Sequence, residues 1–422
     1  MRSISMRIAF IWLAVSLSLP VAAQSKRLWV LKASGDLVEY DLTTFATKQT
    51  VKLPPEAAKT PAGVLVNRLG QVLFETAVTL PLSTEESAPH KVWIWNGRTA
   101  STLDQGIVRK SEETGSNQAI TELAPIAFLS GDGTHLFWFA NQARRLQRED
   151  VDLSTENSWQ AWQTDLKGDG REEIASAKLP DCRCTTGTCE ESCPNGIVWV
   201  PENALDKFFL VTQVVAGQTN PAYKESIRYR LDGGKWPPSA LPEPLQKVLD
   251  ANDDGSVTVD AIPDTGCCGW TNQSDDQTLA HVGGKIRTVF DERIAYKNPD
   301  YDVSFYTANA KLSPEGGYVA TTITATAKVN QPIQLADGGQ ANPGESNSIR
   351  KALAELPTVE VTSAKEIPGK VAFLPHAMLI GWINERELLI VENHLLVVYN
   401  VVSKARKKTV VRVDDPARVF LR

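Results

Sequence analysis

All six cysteines of this 422-residue chain fall between positions 182 and 268. Four stand as Cys182-x-Cys184-x4-Cys189-x3-Cys193, and two are adjacent, Cys267-Cys268. Closely spaced thiolates can hold zinc or an iron–sulfur cluster, but the usual ligand spacings differ from this one. An even number of cysteines in an exported chain reads instead as disulfides. Two pairings stay open: a strained vicinal bond between Cys267 and Cys268, or each of them bonded to a different member of the 182–193 loop.

Oxygen-rich loops are the next candidates. Asp165-x-Lys167-x-Asp169-Gly170-x-x-Glu173 resembles a calcium loop of integrin-type repeats, with Lys167 where an oxygen is wanted. Asp250-x-Asn252-x-Asp254-Gly255 follows the first half of an EF-hand, but Asp260 comes one position early and Ala261 replaces the closing acid. No other cofactor is expected, and calcium on Asp250, Asn252 and Asp254 is the one the sequence offers. The alternative for both loops is a hairpin turn, because Asp and Gly tolerate left-handed backbone.

An enzyme would need more. Of the five histidines, His281 and His394 lie in apolar strand patterns and read as structural, while His376 precedes a strand and could face a channel. No G-x-S-x-G elbow, H-E-x-x-H or phosphate loop occurs. Asp275-Asp276 beside Trp270 could be paired carboxylates for glycoside chemistry, though a solvated turn suits them better. Trp93, Trp95, Trp138, Trp199, Trp270 and Trp382 sit mostly at strand positions and read first as core.

The elements that would carry these residues are short strands joined by tight turns. The stretch 269–290, with its Gly-Trp opening, recurs at 381–399 and more loosely at 128–140 and 312–325. Such a repeat predicts an all-β propeller, closed by the C-terminal strand at 417–422 joining the first unit, which lacks its innermost strand. Seven units are expected, with six or eight as alternatives. The reading takes 24–422 as a single propeller domain, with insertions near 182–194, 236–250 and 330–369 and a short helix at 348–356. The proline-bearing segment 236–249 reads as a connection, and 256–262 as the strand that closes the fourth unit. Residues 111–118 and 144–157 read as surface loops.

The Ser130–Gly133 and Ser313–Gly316 turns, each followed by an apolar strand, and the "V-Y-N" strand before a charged turn make the chain similar to TolB-like and WD40-like secreted propellers. The WD dipeptide itself is absent. That resemblance implies a binding face at the end of the ring where outermost strands lead into the next innermost ones. Both cysteine segments, read as such connections, would gather there. In some propeller quinoproteins a vicinal disulfide lies beside the cofactor. The ligand-face candidates are Cys267, Cys268, Trp270, His376, Asp264 and Arg287. The expected function is a non-catalytic module binding a protein or small molecule. The alternative is a channel-mouth enzyme, a glycan hydrolase or lyase or a quinoprotein-like oxidoreductase, with acids and bases converging around His376, Asp264 and Arg287.

The first 23 residues read as a secretory leader: Arg2 and Arg7, an apolar run from Ile8 to Leu19, then Val21-Ala22-Ala23. A secreted or periplasmic monomer is expected, with no membrane span, since no later stretch is long and apolar enough. The formal charge of −6 argues against nucleic acid, which needs clustered positive charge. The one basic run, Lys404–Lys408, reads as a solvated hairpin turn.

Overall fold

The computed structural model describes residues 26–53, 64–76, 91–95, 100–103, 108–114, 117–148, 151–182, 194–201, 207–215, 222–262, 277–291, 303, 305–328, 333–334, 340–341, 347–364 and 369–422. Seven antiparallel sheets form a ring, a seven-bladed β-propeller.

Blade one holds β1 (Leu28–Leu31), β2 (Asp36–Tyr40) and β3 (Thr47–Lys52); blade two holds β4 (Val64–Val66), β5 (Val72–Thr76), β6 (Lys91–Trp95) and β7 (Ala100–Leu103). Blade three has five strands, β8 (Val108–Thr114), β9 (Asn117–Leu129), β10 (His135–Arg148), β11 (Val151–Asp165) and β12 (Glu172–Cys182). Blade four holds β13 (Asn195–Trp199), β14 (Phe208–Val215), β15 (Ala222–Arg230) and β16 (Pro238–Ala240). Blade five holds β17 (Lys247–Ala251), β18 (Val257–Ile262), β19 (Gln277–Val282) and β20 (Lys285–Asp291).

In blade six, β21 (Phe305–Leu312) and β22 (Tyr318–Ala325) lead into a small hairpin, β23 (Ile333–Gln334) with β24 (Gln340–Ala341), and a helix, α1 (Asn347–Ala354). The blade then finishes with β25 (Thr358–Ser363) and β26 (Lys370–Pro375). Blade seven holds β27 (Ala377–Trp382), β28 (Glu387–Glu392), β29 (Leu395–Asn400) and β30 (Arg406–Arg412). The last strand, β31 (Val419–Leu421), pairs antiparallel with β1 as the innermost strand of blade one, with Trp29 opposite Phe420. The expected C-terminal closure is therefore present, and it leaves no gap in the ring.

The second strand of each blade explains the long apolar runs. In β1, Leu28 and Val30 pack toward blade seven, while Trp29 and Leu31 pack toward blade two. Leu136 and Trp138 of β10 meet blade two, and Phe137 and Phe139 meet blade four. Phe209 and Val211 of β14 face blade three, and Phe208 and Leu210 face the start of blade five. In β28 the same division sends Leu388 and Ile390 to blade six and Leu389 and Val391 to blade one. A strand buried on both faces has no polar side, so its sequence stops alternating. Each such side chain contributes about 1.5–3 kcal/mol, and the core is a circuit of layers between blades.

Five expectations are corrected. Residues 257–262 are β18 of blade five, and the fourth blade is closed by β16 inside the segment read as a connection. Pro238 is tolerated because an outermost strand has a free edge that needs no donor. Residues 144–148 and 151–157 belong to the β10–β11 ladder, where Arg144 lies opposite Glu156 at 3.5 Å. Residues 111–114 and 117–118 belong to the β8–β9 ladder. In both places backbone pairing continues past the point where the apolar pattern stops, since the ladder does not depend on side-chain polarity. The helix lies within a residue or two of its expected place, with Ile349 and Leu353 packed on Phe290, Phe305 and Ile323. Lys407 and Lys408 of the basic run are in β30 rather than its turn. Among the described residues no helix is long and apolar enough to cross a membrane.

Candidate functional site

The strand order gives the ring two unlike ends. At one end lie the turns joining the innermost strand of a blade to its neighbour. Four of these share one design, an Asn or Ser followed three residues later by a glycine with positive φ: Asn67–Gly70, Ser130–Gly133, Asn252–Gly255 and Ser313–Gly316. The polar residue caps the returning strand. Asn252 Oδ1 accepts from Val257 N at 2.8 Å, and Ser313 Oγ accepts from Tyr318 N at 2.9 Å. The glycines are needed twice over, for the left-handed backbone and for contact with the preceding blade. A Cβ on Gly70 would stand 2.6 Å from the Trp29 ring, and one on Gly255 would stand 2.8 Å from Phe208.

Polar latches tie these turns from blade to blade. Glu385 accepts from Ser313 Oγ at 2.9 Å, Glu315 N at 2.9 Å and Gly317 N at 3.1 Å, joining blades six and seven. Asp250 Oδ2 accepts from Leu312 N at 2.7 Å between blades five and six. Asn67 Nδ2 donates to Ser130 O at 3.3 Å between blades two and three. At the channel mouth on this end, Lys26 Nζ donates to Trp382 O at 2.9 Å and Trp382 Nε1 to Lys311 O at 2.9 Å. The cavity left among these groups is about 60 Å³. That is a narrow, internally bonded mouth.

This arrangement locates the calcium candidates. Asn252 caps its turn, Asp250 reaches blade six with Lys311 Nζ at 3.8 Å, and Asp254 Oδ1 accepts from Ser256 N at 2.9 Å. Their oxygens are turned to separate partners, and among the described residues no three acids, histidines or cysteines group as metal ligands. Hydrogen bonds from the Ser256 side chain and backbone and from Asn252 hold Asp254 below the usual carboxylate range. In the other loop Asp165 Oδ1 accepts from Lys167 N at 2.8 Å and Asp169 N at 2.9 Å, a turn cap of the same kind.

The opposite end carries the long connections: 77–90, 183–194, 263–276, 292–304 and 326–357 all join strands there. Cys184, Cys189, Cys193, Cys267, Cys268, Asp264 and Trp270 lie outside the described residues, as do His90, Asp275 and Asp276, and of Cys182 only the backbone is described. The segment 263–276 joins β18 to β19 within blade five, so it does not lead from one blade to the next as expected. Its flanking strand ends nevertheless share this end of the ring with that of β12, because both kinds of connection emerge on the same side of a blade.

His376 has φ 56 and lies exposed immediately before the innermost strand β27, as expected; its N–H donates to Glu355 O at 3.0 Å. Arg287 is on β20, the outermost strand of blade five, where Nη1 donates to Ala364 O at 2.5 Å. It therefore stands away from the inner strands and does not join His376. His394, expected in a strand, occupies the β28–β29 turn with Asn393; both have positive φ, as a two-residue hairpin turn demands. His281 is paired with Asp260 on the neighbouring strand.

Sequence reasoning missed a set of exposed apolar side chains toward the inner edges of the blades. Leu65, Ile197 and Met378 are on the innermost strands of blades two, four and seven, and Ile126 is on β9 just past its pairing with β8, all at 37–41 % exposure. Beside Ile197 a cavity of about 270 Å³ opens toward Trp199, Lys247 and Val248. The only sequence signal was a large apolar residue in the first strand of a repeat, which reads as core until that strand is known to line the axis.

No protein-family model matches this chain, and no curated protein does. Among solved structures it is similar to dipeptidyl peptidase 4 of Porphyromonas gingivalis, at 9 % identity and TM-score 0.42, covering 93 % of this chain and 59 % of that one. TolB of Acinetobacter baumannii aligns at 12 % identity and TM-score 0.32, over 91 % of this chain and 79 % of that one. An ulvan lyase aligns at 9 % identity and TM-score 0.37, over 89 % and 87 %. The chain spans 47 % of the acylaminoacyl peptidase of Pyrococcus horikoshii, at 12 % identity and TM-score 0.37, with 88 % of its own length covered. The sheet topology, rather than these likenesses, carries the fold.

Proposed function

We propose that this chain is an exported, monomeric binding propeller that holds a protein or small-molecule ligand without turning it over. The ligand enters from the end bearing the long connections and places an apolar portion in the channel. One observation carries the reading: Leu65, Ile126, Ile197 and Met378 expose apolar surface toward the inner edges of four blades. In a monomer such exposed apolar surface near the axis suits an apolar guest. In this reading the six cysteines form disulfides that stiffen the connections around the mouth.

The test is binding of a fluorescent apolar probe, anilinonaphthalene sulfonate, and of peptides with an apolar terminus. Leu65→Asn, Ile197→Asn and Met378→Asn should each weaken binding about tenfold, the effect of losing one buried apolar side chain. Unchanged affinity in all three, with unfolding midpoints preserved, would overturn the reading.

A further inference from the structure

The basic run of the sequence lies on the outer rim of the ring, where blades seven and one adjoin. β30 is the outermost strand of blade seven, and β3 is the outermost strand of blade one. Arg406, Lys407, Lys408 and Arg412 are on β30, Lys48 and Lys52 are on β3, and neither strand contains an acid. Lys404, just before β30, and Lys32, just after β1, flank them. The chain as a whole has a formal charge of −6, so this rim opposes the overall balance.

Contacts between blades join these cations into one surface. Lys407 Nζ donates to Thr43 O at 2.6 Å, in the turn before β3, and stands 5.6 Å from the centre of the Phe45 ring. Lys32 Nζ donates to Arg412 O at 3.0 Å, at the far end of β30. Lys404 Nζ donates to Val371 O of blade six at 2.5 Å. A carbonyl orients an ammonium group without cancelling its charge. Of these cations, only Lys48, with Asp41 at 3.2 Å, and Arg406, with Glu392 at 3.0 Å, meet a carboxylate among the described residues.

Lysines on an outermost strand also keep its free edge from pairing with another chain. That use does not account for Val410. The buried residues of β30 are Thr409 and Val411, so Lys408, Val410 and Arg412 share the exposed side. Val410 is 86 % exposed, and Val402, in the turn before the strand, is 57 % exposed. Along the strand Val410 stands about 7 Å from a cation on either side. Apolar side chains bare to water, with lysine and arginine around them and no acid on either strand, match the boundary of a bilayer, where anionic headgroups lie just above acyl chains. A soluble polyanion would satisfy the cations and leave the valines in water.

We propose that the outer rim of blades seven and one docks this protein on an anionic membrane surface. The lysines and arginines lie against lipid headgroups, and Val410 and Val402 enter the interface. With this rim down, the ring axis lies along the surface and both ends of the channel stay open. Docking in this orientation is independent of what the channel holds.

The experiment is co-sedimentation of the full chain with vesicles of phosphatidylcholine alone and of phosphatidylcholine mixed equally with phosphatidylglycerol, beside a titration with soluble polyglutamate. The anionic vesicles should carry the protein down and the neutral ones should not. Raising salt to about 1 M, where the screening length falls to about 3 Å, should release it. Lys52→Gln and Lys408→Gln should each weaken vesicle binding about fivefold, the worth of one cation near an anionic membrane. Val410→Gln should weaken it about tenfold, the effect of one apolar side chain no longer buried, and leave the unfolding midpoint in place. Failure to bind anionic vesicles, equal binding to neutral ones, or full binding by Val410→Gln or by the double lysine variant would each overturn the proposal. Binding of polyglutamate without binding of vesicles would overturn it too, and would assign the rim to an acidic protein. Channel substitutions should leave vesicle binding intact, so it succeeds or fails independently of the channel reading.

Discussion

Replacing Phe420 by alanine tests whether the ring is held shut by its C-terminal strand. Phe420 is 5 % exposed and packs in one cluster with Trp29, Val64, Val66 and Phe74, so its ring touches both blade one and blade two. Around it β31 pairs with β1, Arg422 N donates to Arg27 O at 2.8 Å, and Arg422 Nε donates to Val66 O at 2.7 Å. Truncating a buried Phe loses its transfer energy and leaves a cavity, together about 3–5 kcal/mol. Because the strand is short and terminal, partial collapse should put the value near the lower end, about 3 kcal/mol. Urea unfolding at constant m-value measures it directly. Val410→Ala is the control: Val410 is 86 % exposed on β30, and the change should stay within about 0.5 kcal/mol. A loss below about 1 kcal/mol for Phe420→Ala would mean that the terminal strand frays in solution, as chain ends often do, and that blade one is closed some other way.

Three further outcomes follow from the turn end. Glu385→Ala leaves the N–H groups of Glu315 and Gly317 without their acceptor and should cost about 1–3 kcal/mol. Glu385→Gln, which keeps one acceptor, should cost less, and equal losses would argue against the latch. Gly255→Ala should destabilise by clearly more than the roughly 1–2 kcal/mol of a left-handed backbone, because its Cβ meets Phe208, whereas Gly284→Ala, in open space, should cost no more than that. Matched melting curves would show whether the Phe208 contact matters. Acid sensitivity should come partly from turn carboxylates. Asp254 is held low by Ser256 and Asn252, and Asp41 by the backbone N–H of Thr44 and by Lys48. A folded pKa below the unfolded value gives stability that is present above the ordinary carboxylate range and lost as pH falls through the folded value. Asp254→Asn should therefore flatten the decline in stability below about pH 4, and an unchanged slope would remove this carboxylate from the account.

Much of the architecture was legible residue by residue. Apolar runs such as Leu388–Val391 and turns such as Ser313–Gly316 are local: a strand needs a few β-formers, and a turn needs a capping oxygen and a glycine that tolerates positive φ. The missing innermost strand of blade one and the spare strand at the C-terminus were complementary absences that a sequence can display. What local pattern could not show was membership. Residues 257–262 have the same strand character in blade four or blade five, and only the register β17–β18–β19 assigns them. Pro238 argued against a strand until the strand was known to be an edge.

The candidate sites divide the same way. The calcium-like spacing of Asp250, Asn252 and Asp254 falls on a hairpin turn, where Asn252 and Asp254 accept from the returning strand and Asp250 accepts from the neighbouring blade. Arg287 and His376 could be named together from sequence, yet one is on an outermost strand and the other beside an innermost one. Conversely, Leu65, Ile126, Ile197 and Met378 are exposed toward the inner edges of four separate blades, a relation that no single repeat displays. Asp260 and His281, far apart in the chain, meet across adjacent strands. Strand and turn are decided by neighbours in sequence, and this chain spells them out. Which side chains share a wall is decided by closure of the ring, a non-local event that gives every residue its two facing blades at once.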